Sequence, residues 1–290
     1  MTLLFSFPDQ FELQKSLLQN SNFAKGEWEW RHFPDGESYV RLLSDVKGRS
    51  AIILCSLNRP DEKILPLAFL ASTLKELGAK KITLIAPYLG YLRQDKRFKP
   101  GEAITSSHFA NLLTHYIDAL VTIDPHLHRI QKLQDIYNCE CTRLSAASLM
   151  AKVIVHTIKA PLLIGPDQES EQWVKDISEQ ANAPYLILSK IRHGDRDVEI
   201  TLPHIEGYKN HTPVLIDDII SSAATMIKAV DLLKKQGIQE VVCIATHAVF
   251  ATNAYEALIN RNGVKVITTN AIPHISNGID IAPLFTALNL

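Results

Sequence analysis

Two carboxylates and a run of small hydroxyl residues follow an apolar segment near residue 217. The chain reads Asp217-Asp218-Ile219-Ile220-Ser221-Ser222-Ala223-Ala224-Thr225 after the apolar run Pro213 to Ile216. A turn of this kind between a strand and a helix aims backbone N–H groups and hydroxyls at an anion, while the acids suit sugar hydroxyls or a metal. Helix capping alone would explain the hydroxyl residues but not the acid pair. The pattern therefore favours a binding site for a phosphorylated sugar.

Other strand candidates also end in polar residues. Ile164 is followed by Gly165-Pro166-Asp167 and Ile123 by Asp124-Pro125-His126, and the run ending at Ala86 enters a loop with four cations from Arg93 to Lys99. Ligands gather beyond the carboxyl ends of parallel strands, so these residues are binding candidates. Simpler explanations are a carboxylate that stabilises a helix N-terminus, a structural histidine and a solvated charge run.

The elements that would position these residues alternate between apolar β-rich runs and segments of helical period. This alternation is typical of parallel sheets wrapped by crossover helices, so the predicted fold class is α/β. The strand candidates are Ala51 to Leu57, Lys81 to Ala86, Ala119 to Ile123, Pro161 to Ile164, Pro184 to Leu188, Pro213 to Ile216, Glu240 to Ala245 and Val264 to Thr268. The helix candidates are Pro60 to Leu77, Thr105 to His115, Ser145 to Thr157, Glu169 to Gln180 and Thr225 to Lys235, with Gly78 and Gly237 as C-terminal stops.

The chain length and composition predict two folded domains. There are 290 residues, 46% of them apolar, with a mean hydropathy of +0.01, which is enough for about two compact units with buried cores. No linker, low-complexity tract or fixed-period repeat divides the chain. We therefore place the boundary from topology near Cys141 and expect domains at 1–141 and 142–290.

The charge balance and the cysteines exclude several classes of protein. Lys and Arg number 30 against 31 Asp and Glu, so the chain lacks the positive field of nonspecific nucleic-acid binding. No apolar run approaches the ~18 residues needed to span a bilayer, and no basic leader precedes a long apolar stretch. Four cysteines are too few for a disulfide framework, which favours a reducing cytoplasm, and Cys139-Glu140-Cys141 lacks the spacing of a zinc knuckle. We expect neither a nucleic-acid nor a membrane partner.

The segment from Asp217 to Thr225 resembles the phosphoribosyl-diphosphate-binding segment of the phosphoribosyltransferase superfamily, Val-Asp-Asp-x-x-(Asp/Ser)-Thr-Gly-Gly-Thr. Ser222 replaces Thr, and Ala223 and Ala224 replace the two glycines. Alanine is disfavoured where φ must be positive. If either position requires positive φ, we expect a phosphate cradle that differs from the family's in shape or strength.

Several further motifs between about Phe33 and Pro273 are similar, in the same order, to those of the ribose-phosphate pyrophosphokinase family. The segment Phe33-Pro34-Asp35-Gly36-Glu37 resembles the one that meets the adenine of ATP, usually across a subunit interface, and implies roles for Phe33, Asp35 and Glu37. By itself it predicts a Pro-Asp-Gly turn that leads into a strand. The segment from Pro87 to Glu102 resembles the second ATP segment and implies ATP contacts by Arg93 and Gln94.

Three more matches carry the catalytic and metal assignments that the resemblance implies. His126 corresponds to the histidine of Asp-x-His, which contacts Mg²⁺-ATP. Asp167 corresponds to the acid of Ser-Pro-Asp-x-Gly-Gly, which helps hold Mg²⁺, although Gln168-Glu169-Ser170 follows it here. Lys190-Ile191-Arg192, then a polar stretch from His193 to Asp197 and a strand from Val198, resembles the flexible catalytic loop whose Lys and Arg clasp the transferring phosphates. Solubilising charges on a hairpin are the alternative.

The resemblance implies two phosphoribosyltransferase-type domains and transfer of the diphosphoryl group of Mg-ATP to ribose 5-phosphate, giving 5-phosphoribosyl 1-diphosphate and AMP. Family members assemble as homodimers or hexamers, so a homo-oligomer is expected. One alternative is a phosphoribosyltransferase that consumes the diphosphate, which leaves both ATP segments unexplained. The other is a noncatalytic regulatory homologue, which Ala223 and Ala224 favour and the retained Lys190, Arg192 and His126 oppose.

Overall fold

The structure is a computed structural model that describes residues 1–192, 198–201, 206–286 and 288. The strands are β1 (Leu3–Ser6), β2 (Ala24–Lys25), β3 (Trp28–His32), β4 (Ser38–Leu42), β5 (Ser50–Leu54), β6 (Lys81–Ala86), β7 (Ala119–Ile123), β8 (Glu140–Leu144), β9 (Pro161–Gly165), β10 (Tyr185–Ile187), β11 (Ser189–Arg192), β12 (Val198–Thr201), β13 (Thr212–Ile219), β14 (Val241–His247), β15 (Val264–Thr269) and β16 (Asn277–Ile279). The helices are α1 (Phe11–Asn20), α2 (Pro60–Glu76), α3 (Thr105–Thr114), α4 (Ala147–Thr157), α5 (Glu171–Ala181), α6 (Ala224–Lys235), α7 (Ala254–Ile259) and α8 (Ala282–Thr286).

The first compact unit comprises Met1–Ser145 and the segment that starts at Ile281. Its parallel sheet has the order β2-β1-β5-β6-β7-β8, and β3 and β4 form a separate antiparallel hairpin. Apolar side chains of the strands and of α2, among them Ile53 and Leu70, form one buried core. Continuous apolar strands of this kind are buried on both faces, as expected of a parallel sheet.

The second compact unit comprises Ala146–Asp280. Its parallel sheet has the order β10-β9-β13-β14-β15-β16, and β11 and β12 form an antiparallel hairpin. Ile164 of β9, Leu215 of β13 and Val230 of α6 belong to its apolar core. The α/β class predicted from the alternation of elements is thus confirmed. The domain boundary near Cys141 remains a proposal, since by compactness the chain divides after Ser145 and α8 returns to pack on α1.

The predicted strands and helices exist with small shifts of their ends. Gly78 and Gly237 follow α2 and α6 with φ of +91° and +83°, which confirms them as C-terminal stops. The largest shifts, of three residues each, are at the end of β5, which stops at Leu54 and not at Leu57, and at the end of β13, which continues beyond Ile216. The strand continues because Asp217 and Ile219 pair in register with Ala245 and His247 of β14. The acid pair therefore lies within the last residues of a strand and not in the turn after it. Within the part of the chain that the structure describes, no helix is long and apolar enough to span a membrane.

Candidate active site

Three carboxylates of the second unit meet at the carboxyl ends of two neighbouring strands. β9 and β13 pair side by side, Asp167 follows the end of β9, and Asp217 and Asp218 lie near the end of β13. Asp218 is buried and Asp167 is half-buried. Burial, and then the negative charges of Asp218 and Asp167, raise the pKa of Asp217 well above its usual value. The arrangement concentrates negative charge where a hydroxyl-rich or cationic ligand would relieve it.

Asp167 also caps the short 3-10 helix Gln168–Ser170 that leads into α5. The Ser170 N–H donates to Asp167 Oδ1 over 3.3 Å, and the Ser170 hydroxyl donates to the Asp167 carbonyl over 2.7 Å. Ser170 therefore stabilises the turn after Asp167. Asp167 therefore does cap a helix, as the simpler explanation predicts. Its carboxylate also lies near that of Asp217, which capping does not require.

The segment from Ser221 to Thr225 forms the entry to α6. Ala251 donates its N–H to the Ser221 carbonyl over 3.0 Å, and Ser222 Oγ accepts the Ala224 N–H over 3.4 Å. The N–H groups of a first helical turn have no partner within the helix and carry the positive end of its dipole. Backbone donors and hydroxyls at this N-terminus form a cradle of the type that holds phosphate.

Ala223 occupies the one position of the cradle that requires a left-handed backbone. Its φ is +58°, it is the N-cap of α6, and its side chain is buried in the apolar core. Ala224 is the first residue of the helix. Of the two alanines that replace glycines, only Ala223 therefore has a strained backbone. The left-handed conformation costs an L-residue roughly 1–2 kcal/mol of conformational free energy.

Ala223→Gly should give a more stable protein than Ala224→Gly, by about 1 kcal/mol. At Ala223 the relief of left-handed strain offsets the loss of a buried methyl, about 0.8 kcal/mol, and the greater freedom of the unfolded chain. At Ala224 glycine only weakens the helix, by up to about 1 kcal/mol. Urea unfolding of both variants measures the difference, and equal stabilities would contradict this account.

Lys190 and Arg192 lie on the hairpin that follows the same strand end. They are two positions apart in β11, opposite Ile200 and Val198 of β12. The buried Leu188 donates its N–H to the Gly165 carbonyl over 2.9 Å, so the hairpin begins where β9 ends, close to Asp167 in the fold. The strand expected from Val198 is confirmed as β12. The polar stretch from His193 to Asp197 lies outside the described residues.

In the first unit, Phe33, Asp35 and Glu37 lie at the exposed tip of the β3–β4 hairpin. The turn is closed by the Phe33 N–H, which donates to the Glu37 carbonyl over 2.8 Å, and Gly36 takes φ of +92°. The Arg31 guanidinium lies 4.8 Å from the Phe33 ring centroid and 4.3 Å from that of Tyr39. The predicted turn into a strand is confirmed, and the cation orients an exposed aromatic ring that could stack on a base.

The loop after β6 carries Arg93 and Gln94 next to the start of α3. Arg93 is exposed, whereas Gln94 is held by the Thr105 hydroxyl, 3.2 Å from Gln94 Oε1, and by the Ser106 N–H, 3.3 Å from its carbonyl. Farther along the loop, Glu102 accepts the backbone N–H groups of Phe98 and Lys99. These hydrogen bonds stabilise the conformation of the loop, so its cationic residues stay near the carboxyl end of β6.

His126 follows β7, the neighbour of β6, and so lies at the same edge of the sheet as this loop. The Asp124 backbone has φ of +36° and donates its N–H to the Leu144 carbonyl of β8 over 3.0 Å. Asp124 is buried and His126 is half-buried. The strained residue at the strand end turns the chain so that His126 reaches the surface near the cationic loop.

Asp95 is a residue of this site that the sequence analysis missed. Its side chain is only 2% exposed, although it lies among cations of the loop. Its carboxylate accepts the Arg129 guanidinium at 2.9 and 3.3 Å and the Arg129 N–H at 3.2 Å, and His128 Nδ1 lies 4.0 Å away. Asp95 thus ties the loop of Arg93 to the loop of His126. An acid inside a run of cations was the available signal.

A double-mutant cycle of Asp95→Asn and Arg129→Gln should show a coupling of about 1–3 kcal/mol in the free energy of unfolding. The reason is that removal of Arg129 leaves the carboxylate of Asp95, whose side chain is only 2% exposed, without the hydrogen bonds of the guanidinium. The exposed pair Lys81–Glu140, with 2.6 Å between Nζ and Oε2, is the control and should couple by less than about 1 kcal/mol. Similar coupling in the two pairs would contradict a bracing role for Asp95.

The donors of the second unit suit a hard divalent cation. Among the described residues no three His, Cys, Asp or Glu side chains are placed to hold a metal by themselves. Mg²⁺ is commonly held by one or two carboxylates together with water and substrate phosphates, so such a cage is not needed. The pKa of Asp217 is raised first by burial and then by the charges of Asp218 and Asp167, and a cation would offset the second of these effects. The residues present therefore fit Mg²⁺ brought with a phosphorylated substrate.

Comparison with known proteins identifies the family. Residues 2–116 match the N-terminal domain of ribose phosphate pyrophosphokinase, and residues 135–285 match the phosphoribosyl transferase domain. The chain is 32% identical to the ribose-phosphate pyrophosphokinase of Sulfurisphaera tokodaii over 90% of this chain and 89% of that protein. It is 34% identical to that of Sulfolobus acidocaldarius over 87% of each chain.

A solved structure extends the likeness to the fold. The crystal structure of phosphoribosylpyrophosphate synthetase from Mycobacterium smegmatis matches with a TM-score of 0.85 and 26% identity, over 98% of this chain and 96% of that one. The chain therefore contains both phosphoribosyltransferase-type domains. Since relatives of more than 30% identity span nearly the whole sequence, the chain belongs to the ribose-phosphate pyrophosphokinase family.

Proposed function

We propose that the protein transfers the β,γ-diphosphoryl group of Mg-ATP to the anomeric hydroxyl of ribose 5-phosphate. The products are 5-phosphoribosyl 1-diphosphate and AMP, because the anomeric oxygen bonds to the β-phosphorus while the bridging bond to the α-phosphate breaks. The observation that carries the proposal is the junction of the acid pair on β13 with the phosphate cradle of α6. Family membership makes the synthase favoured over the two alternatives.

The roles in the second unit follow from the chemistry of each group. Asp217 and Asp218 would accept hydrogen bonds from ribose hydroxyls, and the N–H groups and hydroxyls from Ser221 to Thr225 would hold the 5-phosphate. Lys190 and Arg192 would act on the transferring phosphates, where fixed cations offset the charge that develops in the transition state. Little covalent help is needed, so positioning supplies most of the rate.

The roles in the first unit concern ATP. Phe33 would stack on the adenine, with Asp35 and Glu37 beside it, while Arg93 and Gln94 would contact the nucleotide at the strand end. His126 and, in the second unit, Asp167 would hold Mg²⁺, which supplies charge neutralisation of the triphosphate when bound. Exposure of all three hairpin residues is compatible with an ATP site shared between subunits, so we propose a homo-oligomer, a dimer or a hexamer. The four free cysteines support a reducing compartment, for which we propose the cytoplasm.

The decisive experiment incubates the purified protein with Mg²⁺, ATP and ribose 5-phosphate and separates AMP from ADP. Equal amounts of AMP and 5-phosphoribosyl 1-diphosphate are expected. Absence of AMP, with or without added inorganic phosphate, would overturn the synthase and leave the regulatory homologue. Thermal unfolding with single ligands separates the transferase. A synthase is stabilised by ATP and by ribose 5-phosphate, and a transferase mainly by the diphosphate.

A further inference from the structure

Cys139 and Cys141 place two thiols side by side at the edge of the first sheet. Their sulfur atoms are 3.9 Å apart, and both residues are half-buried and therefore reachable from solvent. Cys141 pairs with Leu120 of β7, whereas Cys139 lies in the bend before β8 begins. Cys55 and Cys243 are fully buried, so the chain provides its own unreactive reference thiols. The proposed diphosphoryl transfer uses none of these cysteines.

The distance between the two sulfur atoms is within reach of a covalent bond. A disulfide requires about 2.05 Å between its sulfur atoms. The first residue of β8 in register with β7 is Glu140, opposite Ala119, so Cys139 lies outside this ladder. β8 is also the last strand of its sheet. Cys139 can therefore approach Cys141 by side-chain rotation and a shift of the bend, while the paired backbone from Glu140 onward is kept.

The two thiols differ in acidity because they share a hydrogen bond. The hydrogen bond that Cys141 shares with Cys139 lowers the pKa of Cys141, against the opposing effect of its burial. The pKa of Cys139 is raised, first by its hydrogen bond to Cys141, then by burial and by the negative charges of Asp118 and Glu140. Thiolates are the attacking species in disulfide exchange. Cys141 is held in the ladder with β7 and is the first nucleophile, whereas Cys139 lies in the bend outside the ladder and can move to resolve the resulting intermediate.

We propose that Cys139 and Cys141 form a reversible dithiol–disulfide site that reacts with small-molecule disulfides such as oxidised glutathione. The Cys141 thiolate bonds to one sulfur of oxidised glutathione, and one glutathione thiolate leaves. Cys139 then gives its proton to solvent and attacks the Cys141 sulfur, which releases the second glutathione. In total, one protein dithiol is oxidised to a disulfide and one oxidised glutathione is reduced to two thiols.

The experiment equilibrates the folded protein with glutathione buffers of increasing oxidised fraction, quenches with acid, alkylates the remaining thiols and measures mass. The expected product has lost two hydrogen atoms between Cys139 and Cys141, keeps Cys55 and Cys243 as thiols, and returns to the dithiol with dithiothreitol. The initial rate should rise with pH through the lowered pKa of Cys141. An unreacted dithiol, a lasting glutathione adduct or disulfide-linked dimers would each overturn the proposal.

Two matched variants test the order of the steps. Cys139→Ser keeps a hydroxyl donor beside Cys141 and should stop at a stable adduct with one glutathione. Cys141→Ser should form its adduct at least about threefold more slowly, because the remaining thiol lacks the acidity of Cys141. Thermal unfolding checks that both variants fold. Faster adduct formation in Cys141→Ser than in Cys139→Ser would reverse the assigned roles and contradict the proposal.

Discussion

Lys190→Ala is expected to lower the rate of AMP formation about a thousandfold, while the affinity for ribose 5-phosphate changes by less than about threefold. Lys190 belongs to β11, which begins directly after the residue that bonds to the end of β9. A cation that acts on the transferring phosphates stabilises charge that is greatest in the transition state. Its loss therefore lowers kcat and leaves ground-state binding of the sugar nearly unchanged.

The measurement compares kcat for AMP formation with ribose 5-phosphate binding by thermal shift, for Lys190→Ala, Arg192→Ala and the double variant. Residues that act as a unit are not additive, so the double variant should be little worse than the poorer single one. Lys152→Ala on the exposed surface of α4 is the control, since it removes the same charge away from the site. Retention of more than about a tenth of the activity in Lys190→Ala would exclude the catalytic role.

The sequence predicted the buried strands best. The bounds of β6 and β7 agree with their sequence candidates to the residue, because a strand covered on both faces consists mostly of apolar residues. The edge strand β8 was missed for the opposite reason. It reads Glu140-Cys141-Thr142-Arg143-Leu144, has a neighbour on one side only, and needs no apolar run. Local composition carries little information about an element of that kind.

The sequence predicted the site residues that follow the carboxyl ends of parallel strands, where ligands usually bind. It did not predict those whose position depends on contacts between distant parts of the chain. Neighbouring strands bring Asp167 to Asp217, as expected for ligand-binding ends of a parallel sheet. The brace between Asp95 and Arg129 joins loops 34 residues apart, and no local pattern links two such positions. Which alanine of the cradle takes positive φ likewise depends on how α6 leaves β13, which sequence alone does not specify.

Asp217→Asn is expected to lower the rate of diphosphate synthesis by about a hundredfold or more. At neutral pH the same variant should nevertheless be more stable to unfolding than the wild type. Asparagine keeps a carbonyl oxygen of similar size but loses the charge that would bind the ribose hydroxyls. The same change removes a carboxylate whose pKa is raised by burial and by the charges of Asp218 and Asp167. A group that serves the ligand at a cost to the fold is common at functional sites.

The pH dependence of this effect has a definite sign. Because the folded pKa of Asp217 lies above its unfolded value near 3.8, the folded state binds the extra proton more tightly. Wild-type stability relative to Asp217→Asn should therefore be highest below the unfolded pKa, fall as the pH rises toward the folded pKa, and stay lower above it. Mg²⁺ should recover part of this loss in the wild type and little in the variant, because it offsets the charge that the variant lacks.

The test records thermal unfolding of wild type and Asp217→Asn across this pH range, with and without Mg²⁺. Asp176→Asn on the exposed face of α5 is the matched control and should shift the midpoint by less than about 1 °C at every pH. A wild type that gains stability over Asp217→Asn as the pH rises would mean that Asp217 is stabilised as a carboxylate in the folded protein. In that case the three carboxylates would not destabilise the folded protein by mutual repulsion, and ligand binding would have no such repulsion to relieve. The electrostatic explanation proposed for the binding of ribose and Mg²⁺ would then be wrong.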